Sequence, residues 1–136
     1  MAGNASTYVQ SARLNWVKGT TYPTAPANLY IALFTVAPTN AGTGGTEVSG
    51  GSYARVAIAS AGWSAISGGS PSTISNSGAA SFVTATANWG TVVAFALYDA
   101  ATAGNMIVTA ALTTNQTINT GATASFAAGS LVLNED

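Results

Sequence analysis

The chain has 136 residues, which suits one domain, and it carries only three basic and four acidic residues. It has no His and no Cys, so the common zinc sites, disulfides, thiol nucleophiles and a Ser-His-Asp triad are excluded. A net charge of −1 argues against nucleic acid as a partner, and the absence of a long apolar run argues against a membrane.

The first predicted element is a short helix from Ala5 to Val17. Apolar residues recur there at helical spacing: Val9, Ala12, Trp16 and Val17. Asn4 or Ser6 is a suitable N-cap, and the pair Lys18-Gly19 is typical of a helix end. Pro23 and Pro26 then predict an extended connector. We therefore assign residues 1–28 to an N-terminal helix, or arm, with its connector, and residues 29–136 to a β domain.

The remaining pattern predicts strands. The two strongest are Leu29–Val36 and Thr91–Tyr98, whose alternating residues are apolar on both faces, as expected for buried strands. Shorter strands are predicted at Tyr53–Ser60 (extended by Trp63–Ile66 after a bend at Gly62), near Ile74, and at Ala80–Thr84, Met106–Leu112, Thr117–Asn119, Ala122–Phe126 and Ser130–Leu133. Loops are predicted at 38–52 and 99–105. About eight short strands with regular turns indicate an all-β, antiparallel β-sandwich of jelly-roll type.

Few side chains are available for chemistry. Of the four carboxylates, Glu135 and Asp136 fit a solvated tail, and Asp99 fits a turn. Arg55 is either a ligand-binding cation or, as we favour, an outward residue or a partner of Glu47 or Asp99. We expect no catalytic residue, no cofactor and no metal site.

The tryptophans admit two interpretations. In the first, they form a surface aromatic cluster that binds a sugar or another protein. In the second, Trp63 and Trp89 supply bulk to a core otherwise made of Ala and Val, and we favour the core for Trp89. Trp16 lies on the predicted helix and is a candidate for docking onto a neighbour. With so little charge, the surface must be neutral and polar, or covered by other subunits.

Three ordered blocks resemble a known family. They are Thr24–Ile58 (TAPANLYIALFTVAPTNAGTGGTEVSGGSYARVAI), Asn88–Thr113 (NWGTVVAFALYDAATAGNMIVTAALT) and Thr120–Val132 (TGATASFAAGSLV). Together they span roughly residues 22–133. In this order they are similar to small structural proteins of tailed bacteriophages, which are often labelled tail fibre proteins and include capsid cement (decoration) proteins of siphophages and cyanophages.

The resemblance implies a virion protein, most specifically a cement protein. Such proteins are β-sandwiches that form trimers on the outer capsid surface and clamp adjacent major capsid protein subunits. The sequence departs from the family pattern at Ala103 and Ala122, where Gly and Asp are common. The candidate inter-subunit contacts, from the arm and the first block, are Tyr8, Trp16, Glu47, Tyr53 and Arg55.

A tail-fibre or head-spike module that binds a host receptor or glycan is the alternative. Exposed aromatic side chains near Tyr53 or Trp63 would favour it. An enzyme, such as a glycan depolymerase, is disfavoured because a glycosidase needs two positioned carboxylates. The first residues lack the basic and apolar regions of a signal peptide, so we expect synthesis in the bacterial host cytoplasm before incorporation into the virion.

Overall fold

The computed structural model describes residues 2–135 and contains ten strands and one α-helix within them. The elements in chain order are β1 Ala2–Ala5, α1 Thr7–Val17, β2 Asn28–Val36, β3 Thr46–Glu47, β4 Val56–Ala59, a 3₁₀ turn Ser60–Gly62, β5 Ser72–Ser75, β6 Ala80–Ser81, β7 Gly90–Tyr98, β8 Met106–Ile118, β9 Ser125–Phe126 and β10 Val132–Glu135. No helix in this part of the chain has the length and apolar character that a bilayer-spanning helix requires.

Eight of the strands form one large sheet. Its order is β3-β2-β7-β8-β1-β10-β5, and β4 lies beside β3 along the same edge of β2. The strands β6 and β9 form a separate pair. All pairings are antiparallel except β1 with β10. The all-β sandwich is thus confirmed, and the single parallel pair is a departure from the antiparallel prediction.

The core lies between the large sheet and the small β6–β9 pair. Strands β2 and β7 align Ile31 with Leu97 and Leu33 with Phe95, and all four side chains are buried. Phe126 of β9 and Phe82, next to β6, close this core together with Trp89, which directly precedes β7. The opposite face of β2 and β7 is also buried and is lined largely by small residues. The prediction that both strands are buried on both faces is therefore confirmed.

The N-terminal residues are built into the sheet. Strand β1 lies between β8 and β10 and joins the two halves of the sheet. Gly3 is required there because a Cβ atom would overlap the Val108 side chain. Ser6 then caps α1 by accepting from the Val9 amide at 3.3 Å, and its hydroxyl donates to the Met106 carbonyl. Ser6, one of the two predicted caps, thereby ties the helix to β8.

Three local predictions were wrong. The segment Trp63–Ile66 does not extend β4, because a 3₁₀ turn intervenes and Trp63 instead bridges to Asn76 near β5. Glu47 lies in the short strand β3, not in a loop, because the second half of β2 offers it an edge. The segment Thr117–Asn119 is not a separate strand, because β8 continues to Ile118 and pairs with the start of β7.

Candidate functional site

A partly buried ion pair holds the β3–β4 edge together. Arg55 precedes β4, and its Nε donates to Glu47 Oε1 at 2.8 Å while its Nη2 donates to Oε2 at 2.7 Å. This two-pronged geometry is the strongest arrangement for a guanidinium and a carboxylate. The Arg55 side chain is only 7% exposed. The interpretation of Arg55 as a partner of Glu47 is confirmed.

The same guanidinium fixes the β7–β8 hairpin loop. Its Nη1 donates to the carbonyls of Ala100 at 3.0 Å and Ala103 at 2.8 Å. Its central carbon lies 3.8 Å from the centre of the Tyr98 ring, a cation–π contact. Hydrogen bonding to Glu47 raises the pKa of Arg55, and burial raises the pKa of Tyr98. The cluster thus links the β3–β4 edge of the sheet to the loop between the central strands β7 and β8.

Tyr53 connects this ion pair to the core. Its hydroxyl donates to Glu47 Oε1 at 3.0 Å and accepts from the Leu33 amide at 2.9 Å. Its ring lies 5.3 Å from the Trp89 ring, edge to face, and 6.0 Å from the Phe82 ring, stacked. Burial raises the pKa of the Tyr53 phenol. Three of the predicted contacts are therefore hydrogen-bonded to one another and to other groups of the same chain: Glu47, Tyr53 and Arg55.

The other carboxylates also have structural partners. Asp99 accepts from the Asn105 amide at 2.7 Å and from its side chain at 2.8 Å, which confirms its predicted role in a turn. Glu135 ends β10, where it pairs with Ser72, and forms an ion pair with Arg13 of α1, so its predicted place in a free, solvated tail was wrong. Asp136 lies outside the described residues. Within residues 2–135, no group of three potential metal ligands comes together.

A second region of interest is exposed. Every residue from 13 to 27 is solvent-exposed, and α1 buries only Ala12. The last turn of α1 presents three large apolar side chains with high exposed fractions: Leu14 (67%), Trp16 (64%) and Val17 (73%). Tyr22 of the connector is exposed too. We call these four residues the arm surface.

An apolar groove lies beside the arm surface. It encloses about 280 Å³ between α1, the connector and the sheet. Its walls are formed by Tyr8, Val9 and Ala12 of α1, by residues 22–26, and by Leu29, Asp99 and Ile107. We call it the arm groove. Of the two predicted contacts on the helix, Tyr8 lies in the wall of the arm groove, whereas Trp16 does not line the groove and belongs to the arm surface.

The three tryptophans have different environments. Trp89 is buried and donates through Nε1 to the Gly51 carbonyl at 3.0 Å, which confirms its place in the core. Trp63 is partly buried against the same core. Trp16 is exposed. In the sequence, Val17 was noted only as part of the apolar spacing of the helix, and Leu14 was not singled out. Their three-residue spacing places both on a side of the helix away from Ala12.

Comparison with known proteins shows the family to which the chain belongs. Residues 4–134 match the family model described as podophage GP4 fiber I protein gp80. No curated protein matches the chain. The match spans nearly the whole sequence, from β1 to β10, and so includes both the Glu47–Arg55 cluster and the arm.

Proposed function

Because this chain belongs to the podophage GP4 fiber I protein gp80 family, which is a family of phage structural proteins, we propose that it is a fibre component of the virion, attached through its arm surface. One observation carries the mode of attachment. A chain with seven charged residues exposes Leu14, Trp16, Val17 and Tyr22 close together in sequence. Several large apolar side chains left exposed in one short segment favour an interaction site there.

The arm surface offers a substantial exposed apolar area. From their exposed fractions, the four side chains offer roughly 500 Å² of accessible area, to which the two aromatic residues contribute about half. At about 25 cal/mol per Å², covering this area has a gross value of roughly 12 kcal/mol, before the costs of association. This gross value is of the same order as the cost of association, and exposing the surface to water is unfavourable.

The distribution of aromatic residues favours a contact role over receptor or glycan binding. Among residues 2–135 the exposed aromatic side chains are Tyr8, Trp16 and Tyr22, all in the N-terminal segment. Tyr53 faces the core, and Trp63 is partly buried. The sites at which a receptor-binding module was expected to expose aromatic rings therefore do not support that function.

A cement role is the second candidate, and the three ordered blocks that resemble cement proteins favour it. In that role the partners are the major capsid protein and other copies of the chain, most simply as a homotrimer on the outer capsid surface. The family description names a fibre protein, which favours the fibre role. The copy number per particle separates the two, because cement requires hundreds of copies and a fibre only a few.

The test measures the protein in purified particles by quantitative mass spectrometry. Particles are grown with the wild-type chain, with a triple variant (Leu14→Ser, Trp16→Ser, Val17→Ser), and with Ile66→Ser as control. Ile66 is 77% exposed but lies outside the arm. We expect a few wild-type and control copies per particle, and at least about a tenfold loss of the triple variant. Normal incorporation of the triple variant would refute attachment through the arm, and hundreds of copies would favour cement.

A further inference from the structure

We infer that strands β1 and β10 form a mechanical clamp, which resists a pull applied ahead of β1 and beyond β10. The observation that carries this inference is the one parallel pair among the described strands. The two strands lie side by side and run in the same direction, with Ala2 beside Val132 and Gly3 beside Leu133. The inference does not rest on the proposed function, because it concerns the isolated chain and not its place in a particle.

The direction of the load follows from this pairing. In a parallel pair, the chain enters the first strand at one end of the ladder and leaves the second strand at the other end. Ala2 lies beside Val132, so Glu135 lies about 10 Å further along the strand axis. The two strands are only about 4.8 Å apart. A pull ahead of Ala2 and beyond Glu135 therefore acts mainly along the strands and slides them past each other.

Strand β1 is held on both sides and at its far end. Its first half pairs with β10, and its second half pairs with β8 through Asn4 and Ala5. Directly after it, the Ser6 amide donates to the Ile107 carbonyl at 2.9 Å, and the Ser6 hydroxyl donates to the Met106 carbonyl. Hydrogen bonds between strands lie mainly across the strand direction, so sliding loads all of them at once.

Strand β10 is held along its whole length. It pairs with β5 at every residue from Val132 to Glu135. Just before it, the buried Leu131 amide donates to Asn76 Oδ1 at 2.9 Å. At its other end, Glu135 forms the ion pair with Arg13. Neither strand can therefore leave the sheet under this pull without breaking several bonds together.

A second pair of attachment points loads the same sheet in a different way. Strands β5 and β10 are antiparallel, and Ser72 at the start of β5 lies beside Glu135 at the end of β10. A pull between Gly69, just ahead of β5, and the C-terminus therefore opens this ladder one pair at a time. Each opened pair frees about 7 Å of chain, whereas sliding must break the pairs of β1 with both β8 and β10 within about 3.3 Å. Sliding therefore needs a several-fold greater force.

The test is single-molecule force spectroscopy on the full chain, with handles attached through cysteine. The chain has no Cys, so each introduced Cys is a unique attachment point. One version carries a Cys at each terminus, and the other carries Gly69→Cys with the same C-terminal Cys. A Cβ atom at Gly69 meets open space, so this substitution should leave the fold intact. At equal loading rate, the unfolding force between the termini should be at least about three times the force between residue 69 and the C-terminus.

Equal forces in the two versions, or a lower force between the termini, would overturn the inference. Ser6→Ala provides a second measurement, because it removes the hydroxyl that bonds Met106 at the end of β1 but no bond of the β5–β10 ladder. It should lower the force between the termini by roughly 10–20%, as one of several bonds that share the load, and leave the other force unchanged. An equal fractional loss of both forces would show general weakening of the fold and would contradict the clamp.

Discussion

The sharpest stability prediction concerns Arg55→Met. The substitution keeps most of the side-chain volume and removes the guanidinium, so Glu47 loses both prongs of its ion pair. The Tyr53 hydroxyl remains its one side-chain donor among the bonds described. The carbonyls of Ala100 and Ala103 lose a shared donor at the same time. The variant therefore leaves the Glu47 carboxylate without its ion-pair partner and leaves the β7–β8 loop without the guanidinium that holds it.

The size of the effect follows from burial. Breaking a buried pair by removing one partner costs about 3–5 kcal/mol. The Glu47 side chain is 27% exposed, so water relieves part of the stranded charge and the lower end, about 3 kcal/mol, applies. Replacing both partners (Arg55→Met with Glu47→Met) should cost less than Arg55→Met alone, because no charge is then left without a partner.

The assay is urea unfolding followed by tryptophan fluorescence. A loss of about 3 kcal/mol lowers the midpoint by roughly 1–2 M urea for a chain of this size. Arg13→Met is the matched control. Its pair with Glu135 has side chains 45% and 47% exposed, and it should cost at most about 0.5 kcal/mol. If Arg55→Met costs under about 1 kcal/mol, or no more than the control, the cluster does not crosslink the sheet as described.

Three further variants test the fold. Burial raises the folded-state pKa of the Tyr53 phenol above its unfolded value of about 10. The free energy of unfolding therefore keeps its full contribution from Tyr53 below about pH 10 and falls above it. In urea unfolding at about pH 8 and about pH 11, Tyr53→Phe should lose less stability between the two pH values than the wild-type chain does. Gly3→Ala should lower the free energy of unfolding by about 1–3 kcal/mol in thermal unfolding, because the added methyl group meets Val108. Adding Val108→Ala should partly relieve this loss. Gly69→Ala, whose methyl group enters open space, should not lower the stability. Asn76→Ala removes the three hydrogen bonds made by a buried side chain and should cost about 3 kcal/mol in urea unfolding. A loss under about 1 kcal/mol would contradict its structural role.

Local patterns in the sequence were sufficient for the main elements. The alternation of large apolar residues predicted β2 and β7. The capping Ser6 before the helix and Gly19 just after its end predicted α1. Strand β1 was not predicted, because the residues Ala-Gly-Asn-Ala have no strand pattern of their own. They pair only because β8 and β10 leave a space between them, which is a tertiary cause.

The candidate site was predicted only in part, again because some of its groups come together only in the tertiary structure. An attraction between Glu47 and Arg55 is readable from their charges in a chain that has so few. The two carbonyls that complete the Arg55 site are peptide groups of the distant 99–105 loop, which no side-chain pattern indicates. The exposure of Trp16 is likewise set by where α1 lies on the sheet, because the same helical spacing fits a buried face.

The most direct test of attachment through the arm is limited trypsin digestion of purified particles beside the dilute free chain. Trypsin cleaves after Arg and Lys, and the chain offers Arg13, Lys18 and Arg55. Arg55 is buried, whereas Lys18 lies in the exposed segment 13–27. We predict that the free chain is cut after Lys18 and that the same bond is protected in particles. Equal cleavage of Lys18 in both would show that the arm stays uncovered in the virion and would contradict the account.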